Sequence, residues 1–452
     1  MLSGEKVTEK ARLFSNLDLK KLIIPLLFEQ ALAITVGMAD TVMISSVGEA
    51  AVSGVSLVDM LNNLIISVLA ALATGGAVVT SQFVGAGKRD AACRSARQLI
   101  HSSVLITLVI SAAVILLNHQ IISLFFGKIA EDVFSNSVIY LVISAVSYPF
   151  LALYNSCAAL FRSVGNSQIT LKVSILMNII NVAGNAIGIF VLHAGVAGVA
   201  VPSLISRAVA AITLYLLLKN PKHLVYIPRE RFHFDWSIIK KIFFIGIPSG
   251  IESGLFQLGR VLVVSIIAGF GTVQIAANGV ANSLDGMGCI VGQAMNLAMI
   301  TVIGQCVGAQ DSEQIRHYTK KLLAMTYGFT ALVNGIILAA LPWILKIYGL
   351  GEETTQLAYI LVMIHNGMAI LLWPASFTLP NMLRACNDVR FTMVISVFSM
   401  CLFRVLFSYI IGVYFGYGAI GVWIAMVMDW IFRVICFVGR YARGKWKITA
   451  GV

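Results

Sequence analysis

The sequence repeats itself at an offset of 223 residues. Prolines, glycines, a glutamine and a glutamate recur at this spacing in the two halves of the chain. The matching positions are Pro25/Pro248, Glu29/Glu252, Gly48/Gly271, Gln82/Gln305, Gly85/Gly308, Gly195/Gly418 and Gly198/Gly421. Because the offset holds across most of the chain, it predicts two homologous units with one shared architecture.

The composition is that of a membrane protein. Of the 452 residues, 59% are hydrophobic and 12% are charged, and the mean hydropathy is +0.90. Soluble domains carry roughly 25% charged residues, and a run of about 20 apolar residues suffices to cross a bilayer as a helix. Such runs lie near 20–46, 52–83, 97–117, 133–161, 167–191, 194–217, 237–265, 275–306, 319–345, 354–382, 390–414 and 417–438. The sequence therefore predicts an all-α polytopic membrane protein with twelve transmembrane helices in two pseudo-symmetric six-helix lobes.

The longest polar stretch lies where the repeat changes over. We expect an N-terminal lobe at 1–217, a cytoplasmic linker at 218–236 and a C-terminal lobe at 237–452. Repeats of this kind in membrane chains are typical of transporters whose binding site lies between the two halves.

The basic residues predict the orientation in the membrane. All but five of the 32 Lys and Arg residues fall in the terminal segments or in the loops after the even-numbered spans; the five are Lys128, Lys346, Arg207, Arg260 and Arg404. Since Lys and Arg are retained on the cytoplasmic side, both termini are expected in the cytoplasm and the protein in the inner (plasma) membrane. The basic residues form no clustered face, so the net charge of +12 does not indicate nucleic-acid binding.

Two further patterns are informative by what they lack. The seven cysteines form no CxxC pair, so neither a disulfide framework nor a zinc site is expected. Residues 1–19 lack a signal-peptide pattern, so the first span is expected to stay in the mature protein.

Six acidic residues fall inside the predicted spans, where an ionisable group is costly unless it faces a cavity or a partner. They are Glu29, Asp40, Asp59, Glu252, Asp285 and Asp429. Glu29 and Asp40 are 11 residues apart, which places them on one helix face about 16 Å apart along the axis. This spacing suits either a cation pathway or a pair of interhelical hydrogen-bond anchors.

Glu29 and Glu252 each follow a proline by four residues. A proline frees a carbonyl and kinks a membrane helix, which leaves a polar groove beside the carboxylate. Such a glutamate is able to bind a proton or a cation, although duplication of a packing residue would leave the same pattern.

The fifth span carries a stripe of three asparagines, Asn178, Asn181 and Asn185, at positions i, i+3 and i+7. Their amide oxygens would complete the coordination of a cation held by Asp40, because hard cations take carboxylate and amide oxygens together. The alternative is that the stripe joins helices through hydrogen bonds.

Taken together, several segments resemble the multidrug and toxic compound extrusion (MATE) family. The resemblance covers nearly the whole chain and is carried by GMADTVMISSVGEAAVSGVSL, SQFVGAGKRD, LFRSVGNSQ, NIINVAGN, GVAGVAVPSLIS, IPSGIESG, IGQCVGAQ and MLRACNDVRF. It implies secondary active export of amphipathic, often cationic, drug-like compounds, driven by H+ or Na+ entry. Such a transporter is expected to use no cofactor, to bind no nucleic acid and to function as a monomer in the lipid bilayer.

The resemblance also implies a cation site in the N-terminal lobe. Asp40 and Asn181 match the family's residues, and both are candidate sodium ligands. The family's second acid is replaced by Asn185 and its threonine by Ser203, so a weaker or altered cation affinity is expected.

In the C-terminal lobe, Glu252 matches the family's glutamate in the seventh span. The aspartate that some members carry in the tenth span is absent, and Trp373 lies near its place. This difference favours proton coupling over sodium coupling through this lobe. His365 and Asn366 in the same span either add polarity to a cavity or serve as packing residues.

A substrate cavity is expected to be lined by Glu29, Asp59, Asp285, His365 and Trp373. Arg260 and Arg404 are expected to neutralise Glu252 or Asp285. The alternative function is a flippase of lipid-linked sugars or lipids, which the excess of six acids over three arginines within the spans disfavours. An enzyme is disfavoured because no HExxH, GxSxG or Walker A motif is present.

Overall fold

The computed structural model describes residues 12–127, 129–228 and 233–451. The expectations for residues 1–11, for Lys128 and for the linker residues 229–232 lie outside the described residues. Within the described ranges every regular element is a helix and no strand is present.

The helices divide into two consecutive groups. The N-lobe comprises α1 (Asn16–Ser45), α2 (Glu49–Gly85), α3 (Arg89–Leu116), α4 (Asn118–Phe126), α5 (Glu131–Ser163), α6 (Ser167–Ala186) and α7 (Ala197–Leu218). The C-lobe comprises α8 (Trp236–Ala268), α9 (Thr272–Gly288), α10 (Ile290–Gly308), α11 (Ser312–Ile347), α12 (Glu352–Trp373), α13 (Leu379–Ala385), α14 (Val389–Ser399), α15 (Gly418–Ala442) and α16 (Trp446–Ala450).

Twelve helical stretches of the described chain are long and apolar enough to cross a membrane. This confirms the predicted all-α fold with twelve spans. The outer surface of the bundle is apolar: Leu116, Leu124 and Ile347 are each more than three-quarters exposed. Apolar side chains on this scale are stable only against lipid.

Polar side chains start several of the helices. Ser15 and Asp18 form a reciprocal capping box at the start of α1, and Asp235 and Asp311 accept backbone N–H groups at the starts of α8 and α11. These caps satisfy N–H groups that have no partner inside the helix.

Four membrane spans of the described chain are irregular. Beyond α6 the fifth span continues as a π-helix, Ile187–Val191, and beyond α14 the eleventh continues through Met400–Leu406 and Ser408–Tyr414. The predicted span 275–306 is divided into α9 and α10 by a turn at Cys289. The tenth span continues from α12 into α13 through a π-helical stretch, Pro374–Thr378, because a proline cannot donate the hydrogen bond that would keep the helix regular.

The first helix of each lobe packs against the other lobe. Leu19, Leu22 and Leu26 of α1 are buried in a core formed with α10, α11 and α13, whereas Ile238 and Ile242 of α8 are buried in the core of the N-lobe. Each lobe thus packs against the first helix of the other lobe. This packing places Glu29 of α1 and Glu252 of α8 near the junction of the lobes.

Candidate functional site

A chain of hydrogen bonds joins three helices in the N-lobe. The Nδ2 of Asn185 lies 2.7 Å from Oδ1 of Asp40 and 3.4 Å from Oδ1 of Asn181, and Asn181 in turn donates to Oγ of Ser203 at 2.9 Å. Asp40 lies on α1, the two asparagines on α6 and Ser203 on α7. The structure thus brings together the four residues that the sequence suggested for the N-lobe. The third asparagine of the stripe, Asn178, bonds to Ser174 instead.

The interior of this group contains one acceptor that lacks a partner. Asn185 is fully buried, and its Oδ1 has no hydrogen-bond partner among the described residues. The amide nitrogen of Asn185 is committed to the Asp40 carboxylate, so a flip of the amide would lose that bond. Oδ1 of Asp40 and Oδ1 of Asn181 both accept from this same nitrogen. The group therefore offers one carboxylate and two amide oxygens, which are the kinds of ligand that a hard cation such as Na+ takes.

A second polar group lies beside the first in the N-lobe. Asn62 donates to Asp59 at 3.3 Å and accepts from the hydroxyl of Tyr148 at 2.7 Å. Arg207 donates to Ser147 at 2.7 Å and is close enough to act electrostatically on both Asp40 and Asp59. Asp59 is therefore held in a hydrogen-bonded network of this lobe.

The paired glutamates of the repeat both form buried ion pairs. Glu29 accepts from Arg162 at 2.9 Å and from Thr170 at 3.2 Å. Glu252 pairs with Arg384 at 2.6 Å. Both glutamates are less than a tenth exposed, so the pairs are largely shielded from solvent. Each pair joins the first helix of a lobe to the end of the fourth span of the same lobe, where Arg162 lies in the last turn of α5 and Arg384 in the last turn of α13. The arginine partners therefore lie at equivalent places in the two lobes.

Three further ionisable groups meet in the C-lobe. Asp285 lies 2.7 Å from Nε2 of His365 and 3.1 Å from Sγ of Cys289. His365 is buried and packs edge-on against Trp423 and Trp430.

The sixth intramembrane acid, Asp429, is completely buried. Arg433 contacts it at 2.9 Å, Arg404 approaches to 3.7 Å, and Ser399 donates a hydrogen bond. Arg404 therefore contacts Asp429 directly, and Glu252 is paired with Arg384 instead of Arg260 or Arg404. Arg260 and Arg404 act on Asp285 only electrostatically.

A cavity of about 280 Å³ opens beside Glu252. Its charged lining residues are Glu252, Arg260, Arg384 and Arg433, and its aromatic lining includes Phe256, Trp373 and Phe377. Of the five residues expected to line a substrate cavity, Trp373 lies here. Glu29 and Asp59 lie in the N-lobe, and Asp285 and His365 form the separate group described above.

The lobes are joined at the end of the bundle where α2 and α10 terminate. Gln82 donates to the carbonyl of Ala385 at 2.9 Å, and Gln305 donates to the carbonyl of Ser163 at 2.7 Å. A Cβ on Gly85 would lie 1.9 Å from the carbonyl oxygen of Gln305, and one on Gly308 would lie 1.9 Å from that of Gln82. We call these two glutamines and two glycines the lobe clasp. It obeys the 223-residue repeat, and it depends on glycine because only glycine permits the two backbones to come this close.

Comparison with known proteins agrees with this geometry. The MatE family model matches residues 25–187 and again residues 248–410, so the two matched segments are displaced by the same 223 residues as the repeat. The chain belongs to the MATE family.

Its curated relatives are transporters from bacteria. "Uncharacterized transporter YisQ" of Bacillus subtilis is 26% identical over 430 residues, which are 93% of each chain. "Probable multidrug resistance protein NorM" of Thermotoga maritima is 25% identical over 96% of this chain and 93% of its own.

The fold is shared with solved MATE structures. An outward-facing multidrug resistance MATE transporter of the MOP superfamily aligns with a TM-score of 0.87 at 19% identity over 96% of each chain. A MOP superfamily transporter from Pyrococcus furiosus, whose binding pocket is described as having reverse polarity, aligns with a TM-score of 0.88 at 18% identity over 96% of each chain. The MATE chain is accordingly a multi-pass membrane transporter and not an enzyme.

Sequence reasoning missed three arginines of this MATE protein. The hydropathy pattern places Arg162 and Arg384 in loops or at helix ends, and Arg433, although inside the predicted span 417–438, was counted with the C-terminal segment. Each of the three pairs with an intramembrane acid. When these three arginines are counted, the acids no longer outnumber the arginines in the membrane region, and this argument against a flippase no longer holds. A usable signal was present, since LFRSVGN and MLRACND place an arginine at corresponding points of the two halves.

Proposed function

We propose that this MATE protein is a secondary active antiporter that exports amphipathic small organic compounds in exchange for H+ or Na+. The lobes 1–217 and 237–452, joined by the linker 218–236, would alternate between outward and inward openings. The observation that carries the proposal is the hydrogen-bonded chain from Asp40 through Asn185 and Asn181 to Ser203, in which the buried Oδ1 of Asn185 has no partner among the described residues.

The N-lobe is the proposed site of the coupling ion. Asp40 supplies the charge, and the amide oxygens of Asn181 and Asn185 supply neutral ligands. A proton on Asp40 and a sodium ion beside it would each satisfy the carboxylate, and the positive charge of the nearby Arg207 would favour the release of either one. With one carboxylate where family members have two, protons are the preferred driver.

The C-lobe is the proposed site for the substrate. Its cavity is lined by one carboxylate, Glu252, against three guanidinium groups, Arg260, Arg384 and Arg433. Since the arginines outnumber the acids, a substrate that carries an anionic group beside its apolar body, zwitterions included, matches this lobe better than the simple cations expected from the resemblance. The aromatic rings of Phe256, Trp373 and Phe377 would hold the apolar part.

Closure of one end supports alternating access. The lobe clasp closes the end that the basic loops assign to the cytoplasm, so the described state would open to the outside. Both chain termini are proposed to lie on the clasp side, in the cytoplasm, and one chain suffices because it contributes both lobes.

A lipid flippase is the second candidate. The specific observation in its favour is the arginine-rich cavity, because guanidinium groups bind the phosphates of lipid headgroups.

The test is transport in proteoliposomes under separately imposed proton and sodium gradients, with matched anionic, zwitterionic and cationic fluorescent substrates. One gradient should drive accumulation of the zwitterionic or anionic substrate. Asp40→Asn should lower the driven rate about tenfold, since loss of a charge-assisted contact costs roughly 1.5–3 kcal/mol. Glu353→Gln, which changes an exposed acid, should leave the rate unchanged.

Full activity of Asp40→Asn would refute the coupling role. Preferential transport of the cationic substrate would refute the assignment of the C-lobe, and gradient-independent movement of a fluorescent phospholipid between leaflets would select the flippase.

A further inference from the structure

Asp285, Cys289 and His365 place three different metal-ligating atoms in one small region of the C-lobe. A carboxylate oxygen, the thiol sulfur and an imidazole nitrogen all lie within 4.8 Å of one another. Asp285 is in the last turn of α9, Cys289 forms the turn between α9 and α10, and His365 reaches them from α12. Nothing in the repeat accounts for this group, since the corresponding N-lobe positions are Asn62 and Ile66 for the first two residues and Val142 for the third.

A relay of side-chain amides orients the histidine. Asn334 donates from Nδ2 to the carbonyls of Gly288 and Thr330, at 3.2 and 2.9 Å, so its Oδ1 is an acceptor. Asn366 donates to that oxygen at 2.8 Å, which leaves its own Oδ1 as an acceptor 3.2 Å from Nδ1 of His365. The proton of a neutral imidazole is therefore on Nδ1, and Nε2 presents its lone pair to Asp285.

This arrangement requires a positive charge between His365 and Asp285. Their facing atoms are 2.7 Å apart, and a lone pair and a carboxylate repel one another at that distance. A shared proton removes the repulsion, and so does a metal ion that binds both atoms. A histidine that donates its other N–H to a carbonyl oxygen is the usual arrangement at metal sites, because that bond fixes the tautomer and the ring orientation.

The group has the composition of a transition-metal site. Nitrogen, sulfur and oxygen ligands together suit Zn2+ and related ions, and three protein ligands leave a fourth position open. Tetrahedral bonds of about 2.0–2.3 Å set the ligand atoms roughly 3.3–3.7 Å apart. The two contacts of Asp285, at 2.7 and 3.1 Å, are about half an ångström shorter than this spacing, and all three ligand atoms lie within 4.8 Å of one another.

The charge of the surroundings limits the affinity. The carboxylate and a thiolate would supply two negative charges to a divalent ion. Arg260 on α8 and Arg404 on Met400–Leu406, the π-helical continuation of α14, act electrostatically on the same group and oppose a cation. Arg404 is compensated by Asp429 at 3.7 Å, whereas Arg260 is exposed to the cavity, so Arg260 is the main opposing charge.

We propose that Asp285, Cys289 and His365 bind a divalent transition-metal ion of the Zn2+ class in the C-lobe, with a fourth coordination position that no protein side chain of this group fills. The ion replaces the proton shared by His365 and Asp285 and the proton of the Cys289 thiol. Binding therefore releases protons and strengthens as the pH rises. This site does not depend on which ion drives transport through the N-lobe.

Cobalt spectroscopy tests the site. The full chain, purified in detergent without a polyhistidine tag, is titrated with Co2+, whose tetrahedral d–d bands and thiolate charge-transfer band report the ligands directly. One Co2+ per chain with a thiolate band is expected, and Zn2+ should displace it. Cys289→Ala should abolish the thiolate band, and His365→Ala should abolish or strongly weaken binding.

Matched variants separate ligands from bystanders. Cys401→Ala, which removes an exposed cysteine, should leave the spectrum unchanged. Asn366→Ala should weaken binding about tenfold through the loss of the orienting bond, and Arg260→Gln should strengthen it.

A second readout guards against misfolding of the variants. In the unmodified sequence, Zn2+ should slow maleimide labelling of Cys289 and leave that of Cys401 unchanged. A thiolate band that persists in Cys289→Ala, binding that is equal in His365→Ala, or labelling of Cys289 that is unaffected by Zn2+ would overturn the proposal.

Discussion

At the scale of single residues, this protein is organised by what each intramembrane acid touches. Glu29 and Glu252 are tied to arginines, and Asp429 is enclosed by two. Asp40 differs because its hydrogen-bond partner is a neutral amide, and because the adjacent amide oxygen is unpartnered among the described residues. A carboxylate without a fixed cationic partner is free to take a mobile one, and this difference separates the proposed coupling residue from the structural ion pairs.

Asn185→Asp tests this interpretation, because it introduces the second acid that the family resemblance led us to expect. Two carboxylates would then lie at the contact where Asn185 now donates to Asp40 at 2.7 Å. Their repulsion is relieved by a bound cation, so we expect Na+ to raise the melting temperature of the variant by about 1–2 °C, for a gain of about 1–2 kcal/mol. Thermal unfolding in detergent with Na+ or with choline measures this.

Asn178→Asp is the matched control, since it adds an acid to the same stripe at a residue that bonds to Ser174. Equal stabilisation of the two variants by Na+ would show that the Asp40 site is not special.

At the scale of elements, the irregular points of the helices coincide with the polar groups. The break between α9 and α10 leaves the carbonyl of Gly288 beside Asn334, and a Cβ on Gly288 would lie 2.4 Å from Oδ1 of Asn334. Because Gly288 has no side chain, the amide of Asn334 is able to hydrogen-bond to the carbonyl of Gly288, next to Cys289. The close approach of α2 and α10 depends on glycine in the same way.

Gly85→Ala and Gly308→Ala should destabilise the closed clasp. The added methyl group would overlap a backbone carbonyl, which cannot move aside as a flexible side chain would. The population should shift towards the state in which this end is open, so a cysteine introduced at Thr301 should react faster with a membrane-impermeant maleimide applied from the clasp side. Gly279→Ala, with no atom near its added Cβ, should leave the labelling rate unchanged. Labelling rates that are as unchanged in Gly85→Ala and Gly308→Ala as in Gly279→Ala would contradict the gating role of the clasp.

At the scale of the whole molecule, the two lobes are distinguished by charge. The N-lobe carries Glu29, Asp40 and Asp59 against Arg162 and Arg207, whereas the cavity of the C-lobe is lined by Glu252 against Arg260, Arg384 and Arg433. This difference in charge is the basis for proposing ligands of opposite sign in the two lobes. The clasp joins the lobes at one end, and the exchanged packing of α1 and α8 gives each lobe a first helix that is shared with the other.

Cross-linking across the clasp should stop transport. Gln82 and Asn387 belong to different lobes, and their side chains meet at 3.0 Å. In a background without the seven native cysteines, Gln82→Cys with Asn387→Cys should be joined by oxidation or by a short bis-maleimide. The disulfide-linked protein should lose transport and regain it on reduction, because alternating access requires this end to open. Each single cysteine variant is the control, and transport by the fully cross-linked protein would rule out opening at this end.

The sequence by itself determined the helical fold, the twelve spans, the internal repeat and the positions of the six acids. These properties follow from local requirements, since a helix in lipid has to satisfy its own backbone and present about 20 apolar residues. The grouping of Asp40, Asn181, Asn185 and Ser203 was also within reach, because helical spacing and the family resemblance both pointed to it.

Only the tertiary structure decided which charges meet. Arg384 follows Glu252 by more than a hundred residues, and His365 is likewise distant from Asp285 and Cys289 along the chain. Hydrophobic patterning specifies which residues enter the bundle, but contacts between helices are set by packing, which no local pattern encodes. For this reason the sequence identified six costly acids, whereas the folded chain showed which of them pair with arginines and which do not.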